Sequence, residues 1–159
     1  MEGLHAGHVR LRAVTCALLA LSITTGCAVP RWPANGPLTS GYGLRFRGIV
    51  PSIHHGVDVL VPEGTPITAM KPGSVTHAGV LGSYGIAVII DHGGGWTTLY
   101  AHLSRADVAA GAAVDAAAVI GLSGSTGNAT GPHLHFEIRR YGRTADPIPL
   151  LGGSPESGR

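Results

Sequence analysis

The sequence is poor in cysteine, in aromatic residues and in charge, and each shortage excludes a class of protein. Only 2 of the 159 residues are cysteine, so a disulfide-rich scaffold is excluded. Aromatic residues account for 5% and charged residues for 13%, and the formal net charge of +2 is spread along the chain without a basic run. A chain without a basic stripe is not expected to bind nucleic acid.

Long hydrophobic runs are also missing, since the apolar stretch over residues 13–23 is too short to span a bilayer. Two arginines precede it, and the combination predicts an export signal over residues 1–26. The next motif, residues 24–27, resembles the bacterial lipoprotein cleavage box, in which the final cysteine becomes lipidated. We therefore expect an exported, extracytoplasmic protein, either anchored to the membrane through Cys27 as a lipoprotein or simply secreted.

Glycine and proline are abundant, at 25 and 11 residues, and they interrupt helices often enough to favour short strands and tight turns. The sequence therefore predicts an all-β fold, a single compact and mostly antiparallel sheet or barrel-like sandwich. Residues 106–118 are the best helical candidate, but Gly111 and the valines there predict a non-helical connection. The predicted strands cover residues 66–69, 73–77, 85–91, 96–103 and 133–140, with a hairpin loop at residues 92–95.

Composition divides the chain into four segments. The export signal over residues 1–26 is expected to be cleaved before Cys27, and the proline-rich residues 27–36 are expected to form a short tether. Residues 37–151 are predicted to form one domain, and residues 152–159 a mobile tail. A domain of about 115 residues can bury a modest hydrophobic core.

Histidine is the residue in excess, with nine in the chain. His54 and Asp58 are four positions apart, which places both side chains on one face of either an extended segment or a helix. Residues 132–138 alternate between apolar and polar side chains, so His133 and His135 are predicted on the face opposite the buried one. Two adjacent imidazoles on a polar face indicate shared chemistry.

A third segment, residues 96–104, alternates in the same way. The pattern predicts that Tyr100 and His102 share one face, while Leu99 and Leu103 share the opposite one. His102 is therefore expected on the polar side of its strand.

Imidazole nitrogen and carboxylate oxygen are ordinary ligands of Zn²⁺, and a catalytic zinc takes three protein ligands. His54, Asp58 and one histidine of the pair formed by His133 and His135 would fill those three positions. The residues alone leave the choice within that pair open.

At these positions the sequence resembles the lysostaphin-like, or LytM-type, zinc metallopeptidases, endopeptidases that cut the peptide part of bacterial peptidoglycan. The resemblance covers nearly all of the predicted domain. It rests on motifs at residues 38–45, 54–58, 62–66, 73–75, 84–85, 100–104 and 124–137.

The resemblance implies one Zn²⁺ per chain, held by His54, Asp58 and His135, with peptidoglycan peptide as the substrate. It leaves His102 and His133 as the catalytic histidines beside the zinc, and which of them is the general base stays open. The implied reaction is direct hydrolysis, in which zinc lowers the pKa of its water toward about 7 and a histidine transfers the proton.

Further expectations concern the surroundings of this site. Tyr100 is expected either to donate to the developing oxyanion of the substrate or simply to pack. The loops at residues 45–53 and 124–132 are expected to form the walls of the substrate groove. Ala117 replaces a common glycine, so its turn is expected not to require a positive φ, or to be slightly reshaped. Glu137 shares the side of the ligand histidines, or is exposed, and receives no catalytic role.

Two other classes of protein compete with the enzyme. A non-catalytic cell-wall-binding or hydrolase-activating module of the same fold is the first, but all of the implied ligands and catalytic histidines are present. The second is a biotin-carrying domain, since residues 69–71 read Ala-Met-Lys. Pro72 stands where that motif has a second methionine, and a biotin domain leaves the histidines unexplained.

Overall fold

The computed structural model describes residues 29–47 and 49–156, and their regular structure is almost entirely β. The strands are β1 Leu38–Ser40, β2 Gly43–Arg47, β3 Val50–His54, β4 Val57–Val59, β5 Pro66–Thr68, β6 Gly73–Val80, β7 Ile86–Asp91, β8 Trp96–Ala106, β9 Ala113–Val114, β10 Val119–Ser123, β11 Leu134–Arg140 and β12 Arg143–Ala145. A 3₁₀ turn spans Gly82–Tyr84, and one short helix, α1, spans Pro147–Leu150. The predicted all-β class is confirmed.

Ten strands form one sheet, and β2 and β3 form a separate hairpin. The order in the large sheet is β1-β4-β11-β8-β7-β6-β9, with β12 paired to β11 and with β10 paired to both β5 and β8. The pairs that flank β11 are antiparallel and place His135 opposite Asp58 on one side and Ala101 on the other. The register of the central strand thus brings distant parts of the sequence to one point.

The main core lies on the face of the sheet predicted by the alternation of apolar residues. Val57 and Val59 of β4 and Leu134 and Phe136 of β11 are fully buried in it. Burying a side chain of this size stabilises the fold by about 1.5–3 kcal/mol. A second, smaller apolar cluster comprises Ala87, Leu99 and Ala101.

The connection over residues 106–118 is not helical, as predicted, although Ala113–Val114 forms the short strand β9 against β6. Residues 92–95 make the predicted hairpin turn between β7 and β8. Gly93, Gly94 and Gly95 all have positive φ there, a conformation that glycine adopts without steric cost.

Residues in the segments expected as a tether and a tail make contacts in the structure. The Trp32 indole packs against the Phe136 ring, with centroids 6.1 Å apart, and its Nε1 donates to the Gly153 carbonyl at 3.0 Å. The Pro33 carbonyl accepts a hydrogen bond from the Thr68 amide. Trp32, Pro33 and Gly153 are thus held by contacts with the sheet or with each other, and burial of the indole stabilises this arrangement.

The expected export signal and the expected lipidation at Cys27 lie outside the described residues. Among the residues that are described, no helix has the length and hydropathy needed to cross a membrane.

Candidate metal centre

The three side chains implied as metal ligands meet at one point beside the central strand. His54 Nε2 lies 3.1 Å from Asp58 Oδ1 and 3.1 Å from His135 Nδ1. Asp58 Oδ1 lies 2.8 Å from His135 Nδ1. The structure therefore combines His54 and Asp58 with the second histidine of the His-Leu-His motif into a group able to hold a metal ion.

The outer nitrogens of both imidazole rings are hydrogen-bonded, and these bonds fix which atoms face the centre. His54 Nδ1 donates to the Gly41 carbonyl at 2.7 Å, and His135 Nε2 donates to Glu137 Oε1 at 3.0 Å. In the neutral rings the remaining nitrogens carry lone pairs directed toward Asp58. Three electron-rich atoms so close together repel one another unless a proton or a cation lies among them, so this donor set fits a metal ion.

The electrostatics of the centre favour an ionised carboxylate. Burial by itself raises the pKa of Asp58, but hydrogen bonds with His135 and His54 outweigh burial and hold that pKa well below its ordinary value. Burial also tends to lower the pKa of His135, yet its bonds to Asp58 and Glu137 prevail and raise it. The carboxylate of Asp58 and the imidazole of His135 thus each favour the charged form of the other.

Gly56 allows the ligands from β3 and β4 to approach β11. A Cβ at this position would collide with the Phe136 carbonyl oxygen and would lie 2.8 Å from Glu137 Cγ. Because glycine has no side chain, the segment that joins His54 to Asp58 lies directly against β11.

Two further histidines lie beside the three ligands. His102 Nδ1 donates to the Thr126 carbonyl and His133 Nδ1 to the Gly131 carbonyl, both at 2.8 Å. Their ring centroids are 4.7 Å apart, and His133 Nε2 is 3.8 Å from Asp58 Oδ1. Burial lowers the pKa of His102. Both residues line the groove, and in each ring the Nε2 atom takes no part in these carbonyl bonds.

His102 reaches this position because β8 departs from regular alternation. Its φ of 59° lies in the left-handed region, and the pairing of β8 with β7 shifts register between Ile86 and Val88. An irregularity of this kind turns successive side chains to unexpected sides, so that His102 lines the groove while Leu103 enters the main core. The prediction that Tyr100 and His102 share a face is wrong for this reason.

Tyr100 lies in the main core, which favours packing over the oxyanion role among the two expected alternatives. It is fully buried against Phe136, and its hydroxyl accepts from the Met70 amide and lies 2.9 Å from Thr98 Oγ1. Burial raises the pKa of Tyr100 to about 12. Because an enclosed hydroxyl cannot reach a substrate, packing is the role that the structure supports.

Sequence reasoning missed two charged residues that contact the ligands. Glu137 is fully buried against His135, and Arg45 NH1 lies 3.4 Å from Asp58 Oδ2. Glu137 and His135 are two positions apart on β11 and so lie on the same side of the strand, which could have predicted the contact between them. The contact of Arg45 has no local signal, since only the folding of the β2–β3 hairpin over the site brings it there.

A groove of about 670 Å³ opens over the centre. The wall expected as a loop at residues 45–53 is part of the β2–β3 hairpin, whose Arg45 lines the groove. The segment at residues 124–132 contributes a second part of the lining, as expected. The polar and small lining residues are Thr39, Ser40, Ser83, Asn128, Thr130 and Gly131.

Comparison with known proteins finds relatives of this sequence. The DD-carboxypeptidase/endopeptidase Mpg of Neisseria meningitidis is 43% identical over 121 residues, which cover 75% of this chain and 28% of that protein. The murein hydrolase activator EnvC of Escherichia coli is 38% identical over 136 residues, which cover 83% of this chain and 32% of that protein. The chain thus spans about a third or less of the length of these curated relatives.

Solved structures agree with the fold and with the resemblance read from the motifs. The catalytic domain of lysostaphin from Staphylococcus simulans superposes with a TM-score of 0.66 and 36% identity, covering 73% of this chain and 92% of that one. The family model for peptidase family M23 matches residues 52–147. Since that match contains all three converging ligand residues and more than half of the chain, the protein belongs to peptidase family M23.

Proposed function

We propose that the protein is a zinc-dependent endopeptidase that hydrolyses peptide bonds in bacterial peptidoglycan. The observation that carries the proposal is the meeting of donor atoms from His54, Asp58 and His135 within 3.1 Å of one another, beside two more histidines. The similarity to Mpg, a DD-carboxypeptidase/endopeptidase, and to EnvC, a murein hydrolase activator, supports a cell-wall substrate.

The three donor residues would hold one Zn²⁺ per chain. Two imidazoles and one carboxylate are donor types found at catalytic zinc sites, which keep a position open for substrate or water. When bound, zinc supplies Lewis acidity toward a peptide carbonyl and lowers the pKa of water toward about 7.

His102 and His133 would transfer the proton. Burial lowers the pKa of His102, so its ring is neutral at neutral pH and its Nε2 atom can accept a proton. The bond from His133 Nδ1 to the Gly131 carbonyl likewise leaves His133 Nε2 available. One ring would act as base toward water, and the other would donate to the leaving amine or to the developing oxyanion.

The groove would bind an extended peptide across these two histidines. Its volume of about 670 Å³ and its polar lining suit the amide groups of a peptide backbone. Glycine bridges and cross-links through diamino acids are both candidate bonds, and the bond cut is left open in this proposal.

Such a substrate lies outside the cytoplasm, which accords with the export signal proposed at residues 1–26. We propose that the mature chain begins at Cys27 and is either lipidated there or secreted. Mass spectrometry of the N-terminal peptide from the expressing bacterium would distinguish a diacylglyceryl cysteine from an unmodified end. A retained methionine end would contradict both forms.

The competing candidate is a non-catalytic activator of another hydrolase. The observation that favours it is the 38% identity with EnvC, which is named an activator. The complete donor set and the two additional histidines favour catalysis by the chain itself, because an activator has no need of them.

Digestion of purified peptidoglycan of known cross-link type tests the proposal directly. The new termini, identified by mass spectrometry, would reveal the bond cut, and chelation of the metal should abolish cleavage. Release of fragments only when a separate hydrolase is added would instead establish the activator function.

Alanine substitutions separate metal binding from proton transfer. We expect His54→Ala, Asp58→Ala and His135→Ala to lose bound zinc together with activity. His102→Ala and His133→Ala should keep most of the zinc while kcat falls about 10²–10⁴-fold, the usual contribution of a general acid or base. His77→Ala, on β6 outside the groove, is the matched control and should retain both; activity in a zinc-free ligand variant would overturn the assignment.

A further inference from the structure

Glu137 is a fully buried carboxylate on β11, two positions beyond His135. Its Oε1 accepts from His135 Nε2 at 3.0 Å and from the Tyr84 hydroxyl at 2.7 Å. Its Oε2 accepts from Arg139, with Nε at 2.7 Å and NH2 at 2.6 Å. Every neighbour that bonds to this carboxylate is therefore a donor, and the carboxylate is held in one orientation.

The surroundings of Glu137 are otherwise apolar. Leu99 lies opposite it across the β11–β8 pair and belongs with Ala101 to the second apolar cluster, against which Tyr84 also packs. Replacing Glu137 alone would leave its three donor residues without an acceptor, whereas replacing a buried ion pair and its partners together by apolar residues is often neutral or stabilising. Stability alone thus gives little reason for a carboxylate here.

The bond from His135 to Glu137 has a consequence for the metal centre. Since Nε2 of His135 carries the proton of that bond, Nδ1 keeps the lone pair whenever the ring is neutral, and Nδ1 is the atom that faces Asp58 and His54. His54 obtains the same restriction from a neutral backbone carbonyl. For His135 the acceptor is a charged carboxylate, which fixes the proton on Nε2 and also makes the Nδ1 lone pair a stronger ligand for a cation.

We propose that Glu137 is a positioning residue that fixes the tautomer of His135 and increases the affinity of the centre for Zn²⁺. Tyr84 and Arg139 keep its carboxylate oriented, and Tyr84 connects it to the groove lining. The inference rests on the metal centre of the proposed function, and the tautomer can be measured in its absence.

The substitution Glu137→Gln is nearly isosteric and should reverse the direction of the hydrogen bond with His135. Because Arg139 offers two N–H groups to Oε2, the amide should turn its oxygen to Arg139 and its NH₂ to His135. His135 Nε2 would then accept, and the proton would move to Nδ1, where it blocks the metal. Tyr84→Phe keeps the ring and removes one donor, so it should weaken zinc binding less and leave the tautomer unchanged.

Two measurements test the inference on the full chain. Long-range ¹H–¹⁵N spectra of the metal-free protein, recorded above the pKa of the imidazoles, report the tautomer of His135. Competition with a chromogenic chelator reports the zinc Kd, which we expect to rise about 10–100-fold in Glu137→Gln. Glu63→Gln, an exposed change of the same charge, is the control and should match the parent.

A folded Glu137→Gln protein with the parental tautomer and a Kd within about twofold of the parent's would overturn the inference. If that variant does not fold, Tyr84→Phe decides, since an unchanged Kd overturns the inference and a weaker one supports it. If the parent binds no zinc, the proposed function fails while the tautomer still tests the role of Glu137. If the parent binds zinc but cleaves nothing, the Kd comparison stands unaffected.

Discussion

At the scale of single residues, three non-glycine residues within the described ranges have a left-handed backbone conformation: His102, Ala117 and Tyr141. That conformation costs an L-residue roughly 1–2 kcal/mol. At His102 this backbone conformation places the imidazole in the groove and the Leu103 side chain in the core. A strained residue beside the ligands is consistent with selection for chemistry at this point.

Ala117 has a φ of 62° and an exposed side chain, so the expectation that this turn does not need a positive φ is wrong. We expect Ala117→Gly to raise the free energy of unfolding by about 0.5–1 kcal/mol, because relief of backbone strain exceeds the added entropy of the unfolded chain. Urea denaturation measures the change. Ala113→Gly, an exposed strand position without positive φ, is the control and should lower stability by about 0.5–1 kcal/mol.

At the scale of secondary structure elements, the pairing of β4 with β11 sets the metal centre. Its register places Asp58 opposite His135, and Gly56 provides the close approach of the two segments. The centre therefore depends on the distance between two strands as much as on the ligands themselves.

Gly56→Ala tests this dependence. The new methyl group would meet the Phe136 carbonyl, so the segment between His54 and Asp58 must shift. We expect a loss of about 1–3 kcal/mol of stability and a weaker zinc affinity, measured by urea denaturation and by chelator competition. Gly41→Ala adds the same methyl where no atom lies within 4 Å and should change little. Parental zinc affinity in the Gly56 variant would show that the approach is not required.

A second link between elements predicts a dependence on pH. His92, in the β7–β8 turn, is bonded through Nδ1 to the Pro72 carbonyl and through Nε2 to Thr98 Oγ1. Burial lowers the pKa of His92 below its ordinary 6.5. The unfolded chain therefore binds the proton more readily, so unfolding takes up a proton as pH falls below 6.5, and stability decreases with falling pH.

His92→Gln retains polar atoms near both partners and removes the titration. Between about pH 7.5 and about pH 5, the urea midpoint of the parent should fall more than that of the variant. Comparison of the two proteins cancels the contributions of other titrating groups. An equal decrease in both would show that His92 does not contribute.

At the scale of the whole molecule, the core and the metal centre are separate. The buried apolar cluster contains none of the three ligand residues. The hydrogen bond from Trp32 to the Gly153 carbonyl joins segments near the two ends of the described chain, and Trp32 packs against the cluster. Folding should therefore not require the metal, in contrast to small domains whose structure depends on zinc.

Removal of metal tests this separation. After chelation we expect an unchanged far-UV circular dichroism spectrum and a lower Tm, since a ligand that binds only the folded state stabilises it by about 2.7 kcal/mol at 100 times its Kd. Added zinc should restore the Tm. The Asp58→Ala variant should show no shift on chelation. Loss of the β spectrum would mean that the metal holds the fold together.

Much of this architecture is encoded in short stretches of sequence. Alternation along residues 132–138 identified the buried face of β11, and the spacing of His54 and Asp58 identified a shared face, because side chains on a strand alternate with a period of two. The motifs implied the three ligands and the family. These features depend only on residues close together in the chain.

Other features were decided by tertiary structure. The position of His102 and the burial of Tyr100 follow from an irregularity in β8, which a regular period of two cannot represent. The bonds of Glu137 and Arg45 to the ligands, and the packing of Trp32, join segments far apart in sequence. In a regular strand, sequence periodicity determines which side a residue faces, whereas strand irregularities and the register between strands, both set by tertiary structure, determine the rest.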